Sequence, residues 1–301
     1  MVGRRLAPET GGVVQRLPLA GVDPCPPSRR KRPVPLRPRG VGMSVSSPKR
    51  SSTSARPMEM PPRKLAAITG VLWIITFITS IPAVLLYDPL LNDPDFILGA
   101  GGGDTRIFIG ATLELLLIIA NIGTAVVPFS IFRRYNERLA LGYVTARLVE
   151  CGFIAVGIVS VLAIMTLRQD PGGMSDSTLV ATGQSLVAVH DATFVLGPGI
   201  VVGVGNGLIL GYLMYRSGLM PQRLAMFGLV GGPLLLVSGI AVMFGAFDIN
   251  SAPRFVCSLP EIIWEASIGI YLTFKGFKAS APVLDESRDT GIDPGLAVAA
   301  P

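Results

Sequence analysis

The sequence predicts an all-α, polytopic membrane bundle of six transmembrane helices with both termini in the cytoplasm. Three observations support this fold class. Half of the 301 residues are hydrophobic and only 15% are charged, against about 25% in an average soluble chain. The apolar residues fall into six blocks, each long enough to cross a hydrocarbon core of about 30 Å as a helix. Lysine and arginine collect at one side of these blocks.

The six blocks are residues 65–87, 107–132, 139–167, 192–215, 224–247 and 255–274. Each is predicted to be a helix, because a helix satisfies its own backbone hydrogen bonds in lipid. A β-barrel would need shorter segments of alternating polarity, which the sequence lacks. Asp88 and Pro89 are expected to end the first helix. Residues 177–190 have apolar side chains at helical spacing and predict a short helix lying in the membrane interface.

Basic residues in the connections assign the orientation, because cytoplasmic loops are enriched in lysine and arginine. One side collects nine: Arg63, Lys64, Arg133, Arg134, Arg138, Arg216, Arg223, Lys275 and Lys278. The other side collects three: Arg106, Arg168 and Arg254. The first side is therefore predicted to be cytoplasmic, and an even number of spans puts both termini there.

The transmembrane domain is predicted to cover residues 63–278, between two segments expected to be disordered. Residues 1–62 form a basic arm with 12 prolines and no apolar periodicity. An alternative is that the start is mis-assigned and that Met43, Met58 or Met60 comes first. The basic charge of the arm suits anionic lipid headgroups as a partner and does not indicate nucleic acid binding. Residues 279–301 form the C-terminal tail.

Polar residues inside the apolar blocks are the candidate binding residues. An ionised side chain at mid-helix costs about 2.5–3.5 kcal/mol, so such groups should face the bundle interior and find partners. Arg147 is expected to pair with Glu150 or Glu114. The full set is Glu114, Asn121, Arg147, Glu150, Asn206, Glu261 and Glu265, with His190 and Asp191 at the outer mouth of the fourth block. Two interpretations stay open: ion pairs that lock helix packing, or an outward-opening site for a cation, a proton or a small polar solute.

A glycine stripe in the fourth block comprises Gly199, Gly203, Gly207 and Gly211, at intervals of four residues. Small residues at this spacing make a groove that lets another helix approach closely. The alternative is a helix that lines a substrate path. No metal or cofactor is expected, because the single histidine and the three cysteines have no ligand spacing.

Signatures of soluble enzymes such as a P-loop, HExxH or GxSxG are absent from the sequence. The first functional hypothesis is a small-solute or ion transport protein, with Glu114, Arg147, Glu150 and Glu265 lining the path. The second is a non-catalytic membrane partner or envelope-stress component that packs with other helices through the glycine stripe, including as a homo-oligomer. An intramembrane enzyme acting on lipid ranks third, because no nucleophile–base pair is evident.

Several short strings occur in order along the chain: LLYDP at 85–89, LNDPD at 91–95, NIGTA at 121–125, AVHD at 188–191, LGPG at 196–199, GNG at 205–207 and GYLMY at 211–215. In these strings the chain resembles the bacterial membrane family called domain of unknown function 4386, over residues 64–278. The resemblance implies a multi-pass protein of the bacterial cell membrane. It supplies no catalytic residue, because the family's function is unassigned.

Overall fold

The computed structural model describes residues 60–285 of the chain. The basic arm up to residue 59 and the tail from residue 286 lie outside the described residues. The predictions of disorder for these segments, and of lipid contact by the arm, therefore stay predictions.

Six long helices make up the described part of the chain, and no strand occurs within residues 60–285. They are α1 (Pro62–Asn92), α2 (Thr105–Val126), α3 (Phe129–Gln169), α4 (Asp176–Ser217), α5 (Gln222–Met243) and α6 (Ala252–Phe274). All six are long and apolar enough to cross a membrane. The predicted all-α fold with six spans is confirmed. Exposed side chains such as Ile78, Val159 and Val237 give the bundle an apolar outer surface suited to lipid contact.

The six helices form a closed ring in which each packs against the next in sequence and α6 packs against α1. We call the end of the bundle that holds Arg63 the inner end, after the orientation predicted from the sequence. Arg63 donates hydrogen bonds to the carbonyl oxygens of Leu272, Thr273 and Phe274 at 2.8–3.3 Å. This contact stabilises the C-terminus of α6, where the helix dipole favours a positive charge, and ties the first and last spans together.

The inner half of the bundle is filled by a large apolar cluster around Trp73, Tyr143 and Trp264, which are all fully buried. Residues 279–285, assigned to the tail from the sequence, pack onto this cluster with a short 3-10 turn at Pro282–Leu284. The Lys278 amide donates to the Leu219 carbonyl at 2.8 Å. The inner half therefore holds a dense apolar plug.

A second cluster, the outer cap, joins the outer ends of α1 to α4 with a 3-10 helix at Pro94–Leu98. Its buried members are Tyr87, Leu90, Phe96, Ile97, Ile107, Val161, Ile164, Met165, Leu179 and Val187. Arg168 organises the loop beside it by donating to the backbone carbonyls of residues 96, 99, 100 and 102. Its Nε also lies 2.9 Å from Asp104 Oδ1.

Three predicted helix boundaries at the outer and inner ends were wrong. α1 continues through Pro89 to Asn92, because Leu90 is buried in the outer cap and its packing offsets the hydrogen bond that proline cannot make. α2 ends at Val126, six residues before the predicted end, since Val127 and Pro128 form a turn. α5 ends at Met243, four residues before the predicted end.

α3 contains a kink that the hydrophobic pattern did not predict. Asn136 leaves helical geometry with φ −158° and ψ 107°. Its side-chain oxygen accepts a hydrogen bond from the Leu139 amide at 3.1 Å, as an N-cap residue does. The long span of α3 therefore begins after Asn136, in agreement with the predicted start at 139.

The prediction of a separate helix in the membrane interface, before the fourth span, was wrong. Residues 177–190 are helical, but they continue without a break into the span as one helix, Asp176–Ser217. Leu179 and Val187 are buried in the outer cap, so this segment packs against protein and does not lie flat on lipid. Two stretches of α4, Val195–Val201 and Gly203–Leu210, are π-helical, a geometry frequent at functional sites.

Candidate functional site

A cavity of about 420 Å³ lies inside the ring, between the inner apolar plug and the outer cap. This volume is within the range of about 300–1,000 Å³ typical of ligand pockets. Five helices line the cavity, and α5 contributes no lining residue. Six of the polar residues singled out in the sequence lie on its wall: Glu114, Asn121, Arg147, Glu150, His190 and Glu265.

Arg147 forms an ion pair with Glu150, one of the two partners that the sequence left open. Arg147 Nη1 lies 2.6 Å from Glu150 Oε2, and both side chains are buried. Glu150 Oε1 accepts a hydrogen bond from Asn121 Nδ2 at 3.1 Å, and Arg147 Nε donates to Thr124 Oγ1 at 3.1 Å. The guanidinium also lies over the Trp73 ring, 4.6 Å from its centroid. These contacts connect α1, α2 and α3 in the wall of the cavity.

Glu114 has a different partner. The Tyr87 hydroxyl donates a hydrogen bond to Glu114 Oε2 at 2.9 Å. The Tyr87 ring also meets the edge of His190, with centroids 5.9 Å apart. His190 Nδ1 is 3.6 Å from Asp191 Oδ1, too far for a hydrogen bond. His190 faces the cavity, whereas Asp191 is half exposed and lines a separate surface pocket between α4 and α5.

Glu265 is held by a residue of the second π-helical stretch. Asn206 Nδ2 donates to Glu265 Oε1 at 2.5 Å, and Trp264 Nε1 donates to the Asn206 carbonyl at 2.9 Å. Asn206 is fully buried behind the wall and positions Glu265 toward the cavity.

The carboxyl groups outnumber the basic groups on the cavity wall. Both oxygens of Glu150 are occupied by Asn121 and Arg147. Glu114 and Glu265 each have one oxygen that accepts no hydrogen bond from residues 60–285. Arg147 is the only lysine or arginine among the described lining residues. The site therefore offers acceptor oxygens to a cation or to a hydrogen-bond donor.

The model of a family described as Domain of unknown function (DUF4386) matches residues 68–276, more than half of the chain. The chain belongs to this family. The resemblance found in the sequence strings is thereby confirmed. No curated protein and no solved structure matches the chain. The DUF4386 protein is a multi-pass membrane protein by its family and its six apolar helices.

Glu261 lies apart from the cavity of the DUF4386 protein, although it is four residues from Glu265 on α6. It is 2% exposed, and neither of its oxygens has a hydrogen-bond partner within residues 60–285. A Cβ atom added at Gly207 or at Gly231 would come within 2.8 Å of its Oε2. Glu261 therefore occupies the space that these glycines leave between α4 and α5.

The glycine stripe packs α4 against α5 within the chain. A Cβ atom on Gly207 would lie 2.3 Å from the Gly232 Cα atom, and one on Gly203 would lie 2.7 Å from the Gly232 carbonyl oxygen. Gly211 meets Gly228 in the same way at 3.3 Å. Gly199 instead makes room for the guanidinium of Arg254, 2.7 Å from an added Cβ atom.

Two important side chains were missed from the sequence. Arg254 was assigned to an outer connection, but it lies buried in the first turn of α6 and donates to Ser238 Oγ and the Leu235 carbonyl. Tyr87 is fully buried and reaches Glu114. A tyrosine near a predicted span end usually marks the headgroup level, so its position gave no signal of a site residue.

No group of three or more His, Cys, Asp or Glu side chains is placed to hold a metal ion among the residues that the structure describes. Cys151 and Cys257 are free thiols. The polar chemistry of the cavity rests on carboxyl, amide, hydroxyl, imidazole and guanidinium groups.

Proposed function

We propose that the DUF4386 protein is a small-solute or ion transport protein of the bacterial cell membrane. Its intramembrane cavity binds a cation or an amine-bearing solute. The observation that carries this proposal is the pair Glu114 and Glu265, which share one cavity and each keep an acceptor oxygen without a partner in the described chain.

The charge balance of the wall supports a cationic ligand. Arg147 is paired with Glu150, and its charge also acts on Glu265, but three carboxyl groups still face a single guanidinium on this wall. A carboxylate surrounded by apolar helices is costly unless a cation or a proton accompanies it. A bound cation would supply that missing partner, whereas an anion would add a third uncompensated charge.

The helix geometry supports movement of the ligand. Two residues of α4 line the cavity: Pro198, inside the first π-helical stretch, and Val202, between the two stretches. π-Helical stretches inside a longer helix are frequent at functional sites. The plug around Trp73 and Trp264 fills the inner half, so passage to the inner end requires a second arrangement of the helices.

The alternative function, a non-catalytic membrane partner or envelope-stress component, relied on the glycine stripe as a docking face. Within the described chain that stripe is covered by Gly228 and Gly232 of α5. A protein partner or a second copy would have to use another face. This observation favours the binding cavity over the docking role.

Binding can be tested with methylammonium and the full chain reconstituted in nanodiscs. We expect methylammonium to raise the melting temperature of the wild type. Glu265→Gln and Glu114→Gln should each weaken the apparent affinity by at least about tenfold, because truncating one side of a buried charge pair costs roughly 2–5 kcal/mol. Glu137→Gln is the matched control, since Glu137 is an exposed residue at the inner end.

Transport can be tested separately by uptake of radiolabelled methylammonium into proteoliposomes. The wild type should exceed both protein-free liposomes and Glu265→Gln. Equal affinity in all four proteins would refute the binding site. Normal binding with no uptake above protein-free liposomes would refute the transport role alone.

A further inference from the structure

We infer that the ligand is an amphiphile with an amine headgroup and a hydrocarbon tail, which enters the cavity sideways from the surrounding lipid. This inference rests on the proposed function, because the same carboxyl groups receive the headgroup. It adds the chemical class of the ligand and the route by which it arrives.

Polarity changes sharply from the floor of the cavity to its rim. The floor holds the charged groups: Arg147 is 2% exposed and Glu150 is 5% exposed, with Asn121 beside them at 2%, whereas Glu114 and Glu265 are partly buried. The most exposed lining side chains are all apolar. They are Ile81 (55%), Val84 (43%) and Leu85 (66%) of α1, Phe194 (39%) of α4 and Ile262 (39%) of α6. The open side of the cavity is therefore an apolar rim, formed by α1, α4 and α6.

The rim lies within the apolar spans of α1 and α6, toward their outer ends. Ile81 and Leu85 are six and two residues before Tyr87, where the apolar block of α1 ends and the outer cap begins, or roughly 9 and 3 Å at 1.5 Å per residue. Ile262 is ten residues after the start of α6 at Ala252, or roughly 15 Å. Side chains at this depth meet lipid tails when they are exposed outside the bundle.

The two ends of the cavity are closed by packed side chains. Toward the outer end, Tyr87 is fully buried in the outer cap and packs on His190, which lines the cavity. Toward the inner end lies the plug around Trp73. Among the described residues, the apolar rim is thus the exposed part of the wall.

An amphiphile matches both parts of this wall. A bare ammonium ion crossing the rim would lose its water before it reached Glu114 or Glu265, and burying an unpaired charge is expensive. An amine with a hydrocarbon tail starts in the bilayer. Its tail stays in contact with apolar side chains and comes to lie against Ile81 and Leu85, while its headgroup moves from the lipid headgroup region to the carboxyl groups of the cavity. The tail then occupies the rim while the headgroup occupies the floor.

The test compares two probes of equal charge, methylammonium and dodecylamine, with dodecanol as a neutral probe of the same tail length. Each is added to the full chain in nanodiscs, and the shift of the melting temperature is measured. We expect dodecylamine, and not dodecanol, to stabilise the wild type in a manner that Glu265→Gln abolishes. Ile81→Trp and Leu85→Trp, which obstruct the rim, should each weaken dodecylamine binding by at least tenfold.

Ile78→Trp is the matched control, because Ile78 is an exposed residue of α1 outside the cavity wall. Undiminished stabilisation of the rim variants by methylammonium would show that they fold and keep the floor intact. If dodecylamine binding is unaffected by both rim variants, or if dodecylamine fails to bind while methylammonium binds, the tail does not occupy the rim, the inferred amphiphile is wrong and the proposed function stands. If neither amine gives a stabilisation that depends on Glu265, both proposals are wrong.

Discussion

The guanidinium of Arg147 lies 2.6 Å from the carboxylate of Glu150, three residues away on the same helix and buried in the wall of a membrane cavity. This pair is local to α3, and Thr124 of α2 and the Trp73 ring of α1 add further contacts to the guanidinium. Glu114 and Glu265 face the same cavity, and neither forms an ion pair with a lysine or arginine among the described residues. Because Glu150 is already paired, the carboxyl groups that remain for a ligand are those of Glu114 and Glu265.

The first prediction is that Arg147 and Glu150 are energetically coupled. Arg147→Leu alone leaves a buried carboxylate unpaired, and Glu150→Leu alone leaves a buried guanidinium unpaired, so each should destabilise the protein by about 3–5 kcal/mol. The double variant removes both charges and should be less destabilised than the sum of the single variants. Thermal melts of the purified proteins in one detergent measure this difference.

The control cycle pairs Arg147→Leu with Glu114→Leu. Glu114 is bonded to Tyr87, so its effect should add to that of Arg147 without coupling. Strict additivity in the Arg147 and Glu150 cycle would contradict the ion pair. Coupling that appears only with Glu114 would assign Arg147 a different partner.

The second prediction concerns the contact between α4 and α5. Gly207→Ala should destabilise the protein by about 1–3 kcal/mol, because the added methyl group meets backbone atoms of Gly232 that cannot rotate away. Gly152→Ala is the matched control in a helix, with nothing within 4 Å of the added atom. It should be neutral or slightly stabilising, since alanine has the higher helix propensity. Equal melting temperatures of the two variants would contradict close packing at Gly207.

The sequence predicted the number and type of spans because a helix in lipid must be long, apolar and internally bonded. It did not predict the end of α1, since the packing of Leu90 in the outer cap outweighs the proline at position 89. It also placed residues 177–190 in the interface, because a helical pattern of apolar residues looks alike whether it faces lipid or protein. Local sequence patterns predict that a segment is helical, whereas tertiary contacts determine where the helix ends and what it packs against.

The candidate site was partly predictable for a similar reason. Glu114, Arg147, Glu150 and Glu265 stand out in the sequence because charges inside apolar spans are costly, and they do meet in one cavity. Glu261 has the same sequence signal and lies elsewhere, in a gap left by Gly207 and Gly231. The spacing of two glutamates on one helix face does not reveal which neighbour each will meet. Only the packing of α4 and α5 separates them.

The third prediction is that Arg168 orders the outer loop between α1 and α2. Its guanidinium bonds four backbone carbonyl groups of residues 96–102. Arg168→Gln removes most of these bonds, each of which contributes about 0.5–1.5 kcal/mol. Amide hydrogen exchange in this loop should then be about tenfold faster or more. Arg133→Gln, at an exposed arginine of the inner end, is the control and should leave the loop unchanged. Unaltered exchange in Arg168→Gln would contradict the role.

The fourth prediction is a pH dependence at Asp104. A hydrogen bond from Gln169, and then the hydrogen bond and charge of Arg168, hold the pKa of Asp104 below its usual value of 3.8. Because the folded pKa is the lower one, the contribution to stability is complete above pH 3.8 and is lost as the pH falls through the folded pKa. The melting temperature of the wild type should exceed that of Asp104→Asn at neutral pH, and the gap should close below pH 3.8. A gap that widens on acidification would contradict this assignment.

The fifth prediction tests the orientation with cysteine labelling of intact cells. The three native cysteines are first replaced by alanine. Gly103→Cys and Ser177→Cys lie in exposed segments at the outer end, and Glu137→Cys is exposed at the inner end. Since the basic connections favour the cytoplasm for the inner end, a membrane-impermeant maleimide should label the first two variants in intact cells and Glu137→Cys only after lysis. Labelling of Glu137→Cys in intact cells, with the other two protected, would invert the bundle. The amine ligand would then enter from the cytoplasmic leaflet.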